Sequence, residues 1–296
     1  MIGAREGLLE AKAKFRAECA AIRPGLHRFC ARMLGSVTEG EDVVQETLAI
    51  AFYRLGELSD EGALRPWIFR IAYRKCLDLQ RSRRRFRLLE EDDPEEIAPT
   101  NLVDEHEARV LAARALSAIV LRLPVRERAA VVLKDVLDHS LEEIAAMTES
   151  SLGAVKAALH RGRVKLRDLE SAPEEASPEQ SSVVAEYVAR FNRRDWDGVR
   201  ALLADDVRLE LVDRHDTPLG DRYFTNYMSL TWTWRLALAI VDGQLEIVHF
   251  VREGDAWRAR AVVMLRVVDE KVHTIRDYVH VDYLLEGSNI VPSSDL

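Results

Sequence analysis

Two clusters of side chains in this 296-residue chain have the types and spacing to contact nucleic acid. In the first, Trp67, Arg70 and Arg74 recur at i, i+3 and i+7, one face of a helix, and Arg81, Arg83, Arg84 and Arg85 follow. Aromatic rings among cations suit single strands, because unpaired bases stack on rings while guanidinium groups hold phosphates. In the second, Ser151, Lys156, His160, Arg161 and Arg163 share an outward helical face that meets no acid before Asp168. Such donors suit duplex DNA, where a bidentate contact to a base edge discriminates by ~1–3 kcal/mol per base pair. The plain alternative for each cluster is a solvated basic face, with Trp67 in a core.

The helices that carry these clusters are legible in the apolar spacing. The run PWIFRIAYRKCLDLQRSRRRF opens with Pro66 at the first helical position, where its missing N–H costs nothing, and buries Ile68, Ala72, Cys76 and Leu79. Upstream, Val44, Leu48, Ala51, Phe52 and Leu55 form another buried stripe, with Asp42, Gln45, Glu46 and Arg54 on its polar side. Around the second cluster, Ser140 and Glu143 make a capping box for the helix SLEEIAAM, and a turn at Thr148–Ser150 leads to SLGAVKAALHRGRVKLRDL. Leu152, Val155, Leu159 and Leu166 are its expected apolar face. Two helices joined by a three-residue turn fit a helix-turn-helix.

Net charge sharpens this division. The formal total of -8 argues against a protein that coats nucleic acid by charge alone. Yet residues 1–88 carry +6 and residues 109–169 carry +4, against -9 in residues 89–108 and -9 in residues 170–296. The stretches EEDDPEEIAPT and SAPEEASPEQSS have the composition of solvated linkers. The expected organisation is therefore a helical module at 1–88, an acidic linker at 89–108, a helix-turn-helix module at 109–170, a linker at 171–182 and a last module at 183–296. Cys19, Cys30 and Cys76 are too few and scattered for a disulfide framework, and no C-x-x-C pair offers a zinc site. Cys19 and Cys30 read as buried on one helix face, and no cofactor or metal is expected. No apolar run approaches the ~20 residues of a membrane span, and Met1–Glu10 lacks a secretory signal, so a cytoplasmic protein that avoids membranes is expected.

The last module reads as α+β. A helix, VVAEYVARFNRRDWDGVRALLA, precedes the alternating VRLELV, and strands are expected at Arg235–Val241, Leu245–Arg252, Trp257–Val268 and Val272–Val281. Asp242-Gly243, Gly254-Asp255 and Asp269-Glu270 are hairpin turns. Asp206, His215, Asp277 and His280 are the residues able to supply an acid or a His–Asp pair. By strand alternation, His273 shares a face with Asp277, and His280 takes the other. Tyr223, Phe224, Tyr227, Trp232 and Trp234 form an aromatic cluster read chiefly as core or as a docking face.

Two resemblances emerge from these motifs. GSVTEGEDVVQETLAIAFYRL followed by LRPWIFRIAYRKCLDLQRSRRR resembles region 2 of bacterial sigma factors of the extracytoplasmic-function class, over nearly all of the first module. The resemblance implies that Glu41, Asp42, Gln45, Glu46 and Thr47 dock on the clamp coiled coil of the RNA polymerase β′ subunit. It also implies that the helix from Trp67 to Arg85 melts and holds the minus-10 element, with a flipped base captured near Leu58–Leu64. LRLPVRERAAVVLKDVLDHSLEEIAAM and the helix after it resemble region 4 of the same class. That implies a reader of the minus-35 duplex that docks on the β flap, with Ser151, Lys156, Ala157, His160 and Arg161 at the matching positions. The tail is similar to the SnoaL-like cone and implies a regulatory domain that docks intramolecularly on the helical modules. An anti-sigma protein is a further partner that the class admits.

The expected fold is thus two all-α sigma modules followed by an α+β SnoaL-like cone. The expected function is promoter-specific initiation by a non-enzymatic alternative sigma factor. Two rivals stand beside it: a helix-turn-helix regulator that works without polymerase, and a sigma factor whose tail is a ligand sensor or small enzyme.

Overall fold

The computed structural model describes residues 2–58, 63–87, 120–169, 182–212, 217–218 and 221–293. These residues fall into two compact units, a helical one up to residue 169 and a helix-and-sheet one from residue 182.

In the helical unit, α1 (Ile2–Leu34) buries Ile22, Leu26, Phe29, Cys30 and Met33, a helical-period stripe. The chain reverses at Gly35, whose positive φ of 79° suits glycine. Ser36 then caps α2 (Val37–Tyr53) by accepting from the Glu39 N–H at 3.3 Å. The two helices cross at Gly40, where an added Cβ would lie 2.7 Å from the Ala31 backbone nitrogen. Helix α3 (Leu64–Arg87) packs on both, with Ile68, Ala72 and Cys76 buried as expected and Leu79 partly so. Cys19 and Cys30 are buried too, and all three cysteines are free thiols.

The expected one-sided burial of α3 is corrected by the structure. Phe69 and Tyr73, off the predicted stripe, are also buried, because the segment after residue 120 covers that side. This segment comprises α4 (Val125–Val131), which runs into a π-helical turn at Val132–Val136, then α5 (Leu141–Thr148) and α6 (Leu152–Leu169). Ile144, Met147 and Val155 join the core built by α1–α3. The His139 ring meets Phe69 edge-on at 5.3 Å. The two helical segments therefore close over one hydrophobic core.

Two apolar assignments are also corrected. Phe52 is 38% exposed, since it lies in the last turn of α2, where its ring meets those of Phe15 at 6.0 Å and Tyr53 at 6.4 Å. Leu152, the first residue of α6, is exposed, while Val155, Ala158, Leu159 and Gly162 face inward. Gly162 sits close on α4, so that an added Cβ would meet Val131 at 2.8 Å.

In the second unit the helix expected from residue 183 to 204 is two helices, α7 (Ser182–Asn192) and α8 (Trp196–Ala201). Arg194 takes a positive φ of 60°, and the Asp195 carboxylate accepts from the Gly198 N–H at 2.9 Å, capping a new helix. Among the described residues, seven strands follow in the spatial order β2-β1-β6-β5-β4-β3-β7. They are β1 (Leu203–Leu211), β2 (Thr217–Pro218), β3 (Trp234–Val241), β4 (Gln244–Glu253), β5 (Ala256–Val268), β6 (Lys271–Asp277) and β7 (Ile290–Pro292), with α9 (Asp221–Ser229) before β3. Pairing is antiparallel except between β1 and β6.

The predicted turns hold. Asp242-Gly243 and Asp269-Glu270 have positive φ at both residues, matching the right-handed twist of the strands they join. The strand expected to reach Val281 stops at Asp277, because the Asp277 carboxylate accepts from the Val279 N–H at 2.9 Å and turns the chain. Phe191 of α7 is the hub of the core. The rings of Tyr227, Trp196, Tyr187 and Trp234 lie 5.0 to 5.7 Å from it, with Phe224 and Tyr223 just beyond. Helices packed over a mostly antiparallel sheet give the α+β cone expected of the tail.

Candidate nucleic-acid interface

On α3, Trp67 is half-buried against the shared core, while Arg74, Arg81 and Arg85 are exposed. Arg70 donates from Nε to the Ala146 carbonyl at 3.1 Å, near the C-terminal end of α5, where a cation is favoured by the unpaired carbonyls. Arg74 forks onto the Glu149 carboxylate at 2.6 and 2.8 Å. Arg81 pairs with Asp78 at 3.1 Å, and Arg83 with Glu39. The Arg84 side chain and residues 59–62 of the proposed base-capture loop lie outside the described residues.

The second cluster is held by the predicted capping box. Ser140 Oγ accepts from the Glu143 N–H at 3.1 Å, and Glu143 accepts from the Ser140 N–H at 2.8 Å. The two helices are separated by Glu149–Ser151, and Ser151 Oγ accepts from the Ala154 N–H at 3.2 Å to start α6. Ser151, Lys156, Ala157, His160, Arg161 and Arg163 are all exposed on α6. Arg161 and Lys165 both donate to Glu127, at 2.9 and 2.8 Å, and Arg163 pairs with Asp135. Burial would raise the Glu127 carboxyl, but the hydrogen bonds from Lys165 and Arg161 hold it below the usual glutamate range. His139, beneath the turn into α5, is pushed down by burial despite Glu143 nearby, and so stays neutral at pH 7.

The structure brings the two clusters together. A cleft of about 880 Å³ is lined by Arg74 and Arg81 of α3, by Ser151, Ala157 and Arg161 of α6, and by Glu149. The counter-charges Glu127, Asp135 and Glu149 were not legible as partners. They come from α4, its continuation and the α5–α6 turn, and only Glu149 carries a local signal, an acid in a turn where glycine is the common residue.

The five residues matched to polymerase docking divide in the structure. Glu41 and Thr47 are buried, Glu41 receiving a 2.7 Å bond from Arg23 and another from Gln45 at 3.3 Å. Asp42 and Gln45 are half-buried and Glu46 is exposed, paired with Lys75. Among these five, surface access therefore belongs to Asp42, Gln45 and Glu46.

The residues able to do acid–base work in the tail fall into two groups, a surface pair and a buried Asp277 whose carboxyl is influenced by His280. Asp206 pairs with His273 at 3.2 Å at the surface, His280 is exposed, and His215 lies outside the described residues. Asp277 is fully buried and accepts from the Tyr223 and Tyr227 hydroxyls at 3.1 and 2.7 Å. Burial raises its carboxyl above the usual range despite those donors. Of the aromatic cluster, Tyr223, Phe224, Tyr227 and Trp234 pack in the core and Trp232 is exposed. Among the described residues, no helix is long and apolar enough to cross a membrane.

Residues 20–86 match the family description "Sigma-70 region 2" and residues 113–166 match "Sigma-70, region 4". The ECF RNA polymerase sigma factor SigG of Mycobacterium tuberculosis is 31% identical over 292 residues, spanning 85% of this chain and 77% of that protein. The crystal structure of the extracytoplasmic-function sigma factor SigJ of Mycobacterium tuberculosis is similar at 21% identity and a TM-score of 0.36. It spans 88% of this chain and 95% of that one. An NTF2-like protein of Cytophaga hutchinsonii shares 9% identity at a TM-score of 0.25, over 35% of this chain and 93% of that one.

Proposed function

The chain belongs to the ECF RNA polymerase sigma factors, and from that premise we propose how its residues divide the work of directing promoter-specific transcription. It is an alternative sigma factor, a transcription factor rather than an enzyme, and its partners are core RNA polymerase and promoter DNA. Trp67, Arg70, Arg74, Arg81, Arg84 and Arg85 hold the melted minus-10 strand. Ser151, Lys156, Ala157, His160, Arg161 and Arg163 read the minus-35 duplex. Asp42, Gln45 and Glu46 face the β′ clamp coiled coil, with Glu41 and Thr47 supporting the helix from within.

The observation that carries this reading is the pair of cationic helices, α3 with its half-buried tryptophan and α6 behind its capped turn, in one helical unit. Stacking plus phosphate contact suits the first, and an exposed row of cationic and polar side chains suits the second. Run-off transcription with core polymerase across a promoter library tests it. W67A and R161A should each lower promoter-specific transcript several-fold. Transcription indifferent to both, or no copurification with core enzyme, would favour a polymerase-independent regulator.

The tail acts as a regulator and not as a catalyst, and the protein works in the cytoplasm, beside the polymerase. Support comes from the buried Asp277, the separation of Asp206 and His273 from it, and the aromatic packing around Phe191. Residues 170–296 carry -9, opposite to the +10 of the two sigma segments, which favours docking on them. Truncation after Leu169 should change promoter occupancy or transcript yield. An unchanged yield would remove the regulatory role.

A further inference from the structure

We propose that Glu149 is a built-in phosphate surrogate: in the free protein its carboxylate occupies the Arg74 guanidinium on the strand-binding face of α3, until DNA phosphate displaces it. This inference rests on the assignment of Arg70 and Arg74 as strand ligands.

Three independent observations meet at this turn. The first is the contact geometry. Arg74 donates from Nε and Nη2 to the two Glu149 oxygens, at 2.8 and 2.6 Å, which is the fork a guanidinium offers to a phosphate. One fork holds one anion at a time, so carboxylate and phosphate compete for it.

The second is backbone conformation. Glu149 caps α5 in the left-handed region, at φ 51° and ψ 46°. For a residue with a Cβ that region is disfavoured, and helices that end this way commonly place glycine there. An acid in this position keeps the strain and supplies the contact to Arg74.

The third is coverage. The same helix end accepts the Arg70 Nε–H at the Ala146 carbonyl, with Glu149 4.0 Å away, so a single turn occupies both arginines. Ile144 and Met147 of that helix are fully buried in the core shared with α3. The turn is thus held in place by packing, and the ion pair sits at its rim.

Magnitude decides what kind of device this is. The Arg74 side chain is 58% exposed and Glu149 40%, so the pair is screened and weak, as surface pairs generally are. A weak latch is displaced by a strand that also stacks on Trp67 and meets Arg81 and Arg85. It resists stray anions that offer one contact only.

The test uses the full chain and a 5′-fluorescein-labelled, mixed-sequence 15-nucleotide single strand, with anisotropy read at low and physiological salt. E149Q and E149G should bind about 2- to 5-fold more tightly than the unaltered chain. Glycine suits the left-handed cap, so E149G keeps the fold. R74A should bind more weakly, and R74A/E149Q no more tightly than R74A. If R74A weakens binding while E149Q and E149G leave it unchanged, the surrogate role is overturned and the strand assignment stands. An equal gain from E149Q with and without Arg74 also overturns it, because the glutamate would then act only through long-range charge. If R74A has no effect, the strand assignment itself fails.

Discussion

The Arg128 guanidinium donates to the Met33 carbonyl at 2.5 Å, tying the second helical segment to the last turn of α1. It also donates to the Leu123 carbonyl at 3.1 Å and to that of Leu121. One buried cation thus satisfies acceptors at the end of a helix and in the chain leading to α4. Charge-assisted bonds of this kind contribute ~1.5–3 kcal/mol each, and their loss strands buried carbonyls. R128A should lower the stability of the helical unit by roughly 3 kcal/mol, read as an earlier thermal transition at 222 nm. R128K should recover only part, since a point-like ammonium cannot span the same acceptors.

Gly40 marks the crossing of α1 and α2. A methyl group there would lie 2.7 Å from the Ala31 nitrogen and 2.8 Å from its Cα, and both contacts are backbone. The helices would have to separate, at a cost of about 1–3 kcal/mol or more. G40A should reduce helical stability and weaken core polymerase binding, because α2 carries Asp42, Gln45 and Glu46. Normal affinity in a pull-down with core enzyme would argue against that coupling.

The capping box at Ser140 sets where α5 begins. Removing the Ser140 hydroxyl leaves the Glu143 N–H without its acceptor and should cost ~1 kcal/mol. S140A should increase amide hydrogen exchange across residues 141–148 while leaving the sheet unit unchanged.

Phe191 carries the aromatic core of the tail, with Tyr227 at 5.0 Å and Trp196 at 5.1 Å. F191A should destabilise that unit by ~3–5 kcal/mol, since rings packed this closely relax only partly into the space. Tryptophan fluorescence melting is the readout, and a shift below one degree would contradict the packing described.

His249 sets a pH dependence for the same unit. It is buried, and burial together with Arg260 and Arg194 depresses its pKa to about 4. The unfolded chain therefore takes up a proton as pH falls below the ordinary histidine value near 6.5, while the folded chain does not. Stability should fall between pH 6.5 and 4, by roughly 2 kcal/mol at pH 5. Asp277 acts in the opposite sense, because burial raises its carboxyl and the folded state binds its proton first as pH falls. H249F removes the histidine contribution, so its melting temperature should drop less from pH 7 to pH 5 than that of the unaltered chain. Parallel curves would refute the assignment.

Much of this protein was legible before any coordinates. The basic aromatic face of α3, the capping box at Ser140, the exposed cations of α6 and the Asp-Gly turn of the sheet depend on neighbours within a few residues. Periodicity and turn chemistry report such relationships directly. The break at Arg194–Asp195 and the stop at Asp277 are also local, but each turns on which of two available hydrogen bonds an aspartate makes, and composition does not rank them.

What the sequence determined by itself was therefore the kind of module and the side chains each presents: cationic helices for nucleic acid, and an acidic α+β tail. The tertiary structure alone decided that the two cationic helices share one core and one cleft. It alone buried Phe69, Tyr73, Glu41 and Thr47, and it paired Arg74 with Glu149 across 75 residues. The reason is physical. Helical periodicity shows which face of a helix is apolar, but which distant segment covers it depends on packing shape and counter-charges that meet only in the folded chain.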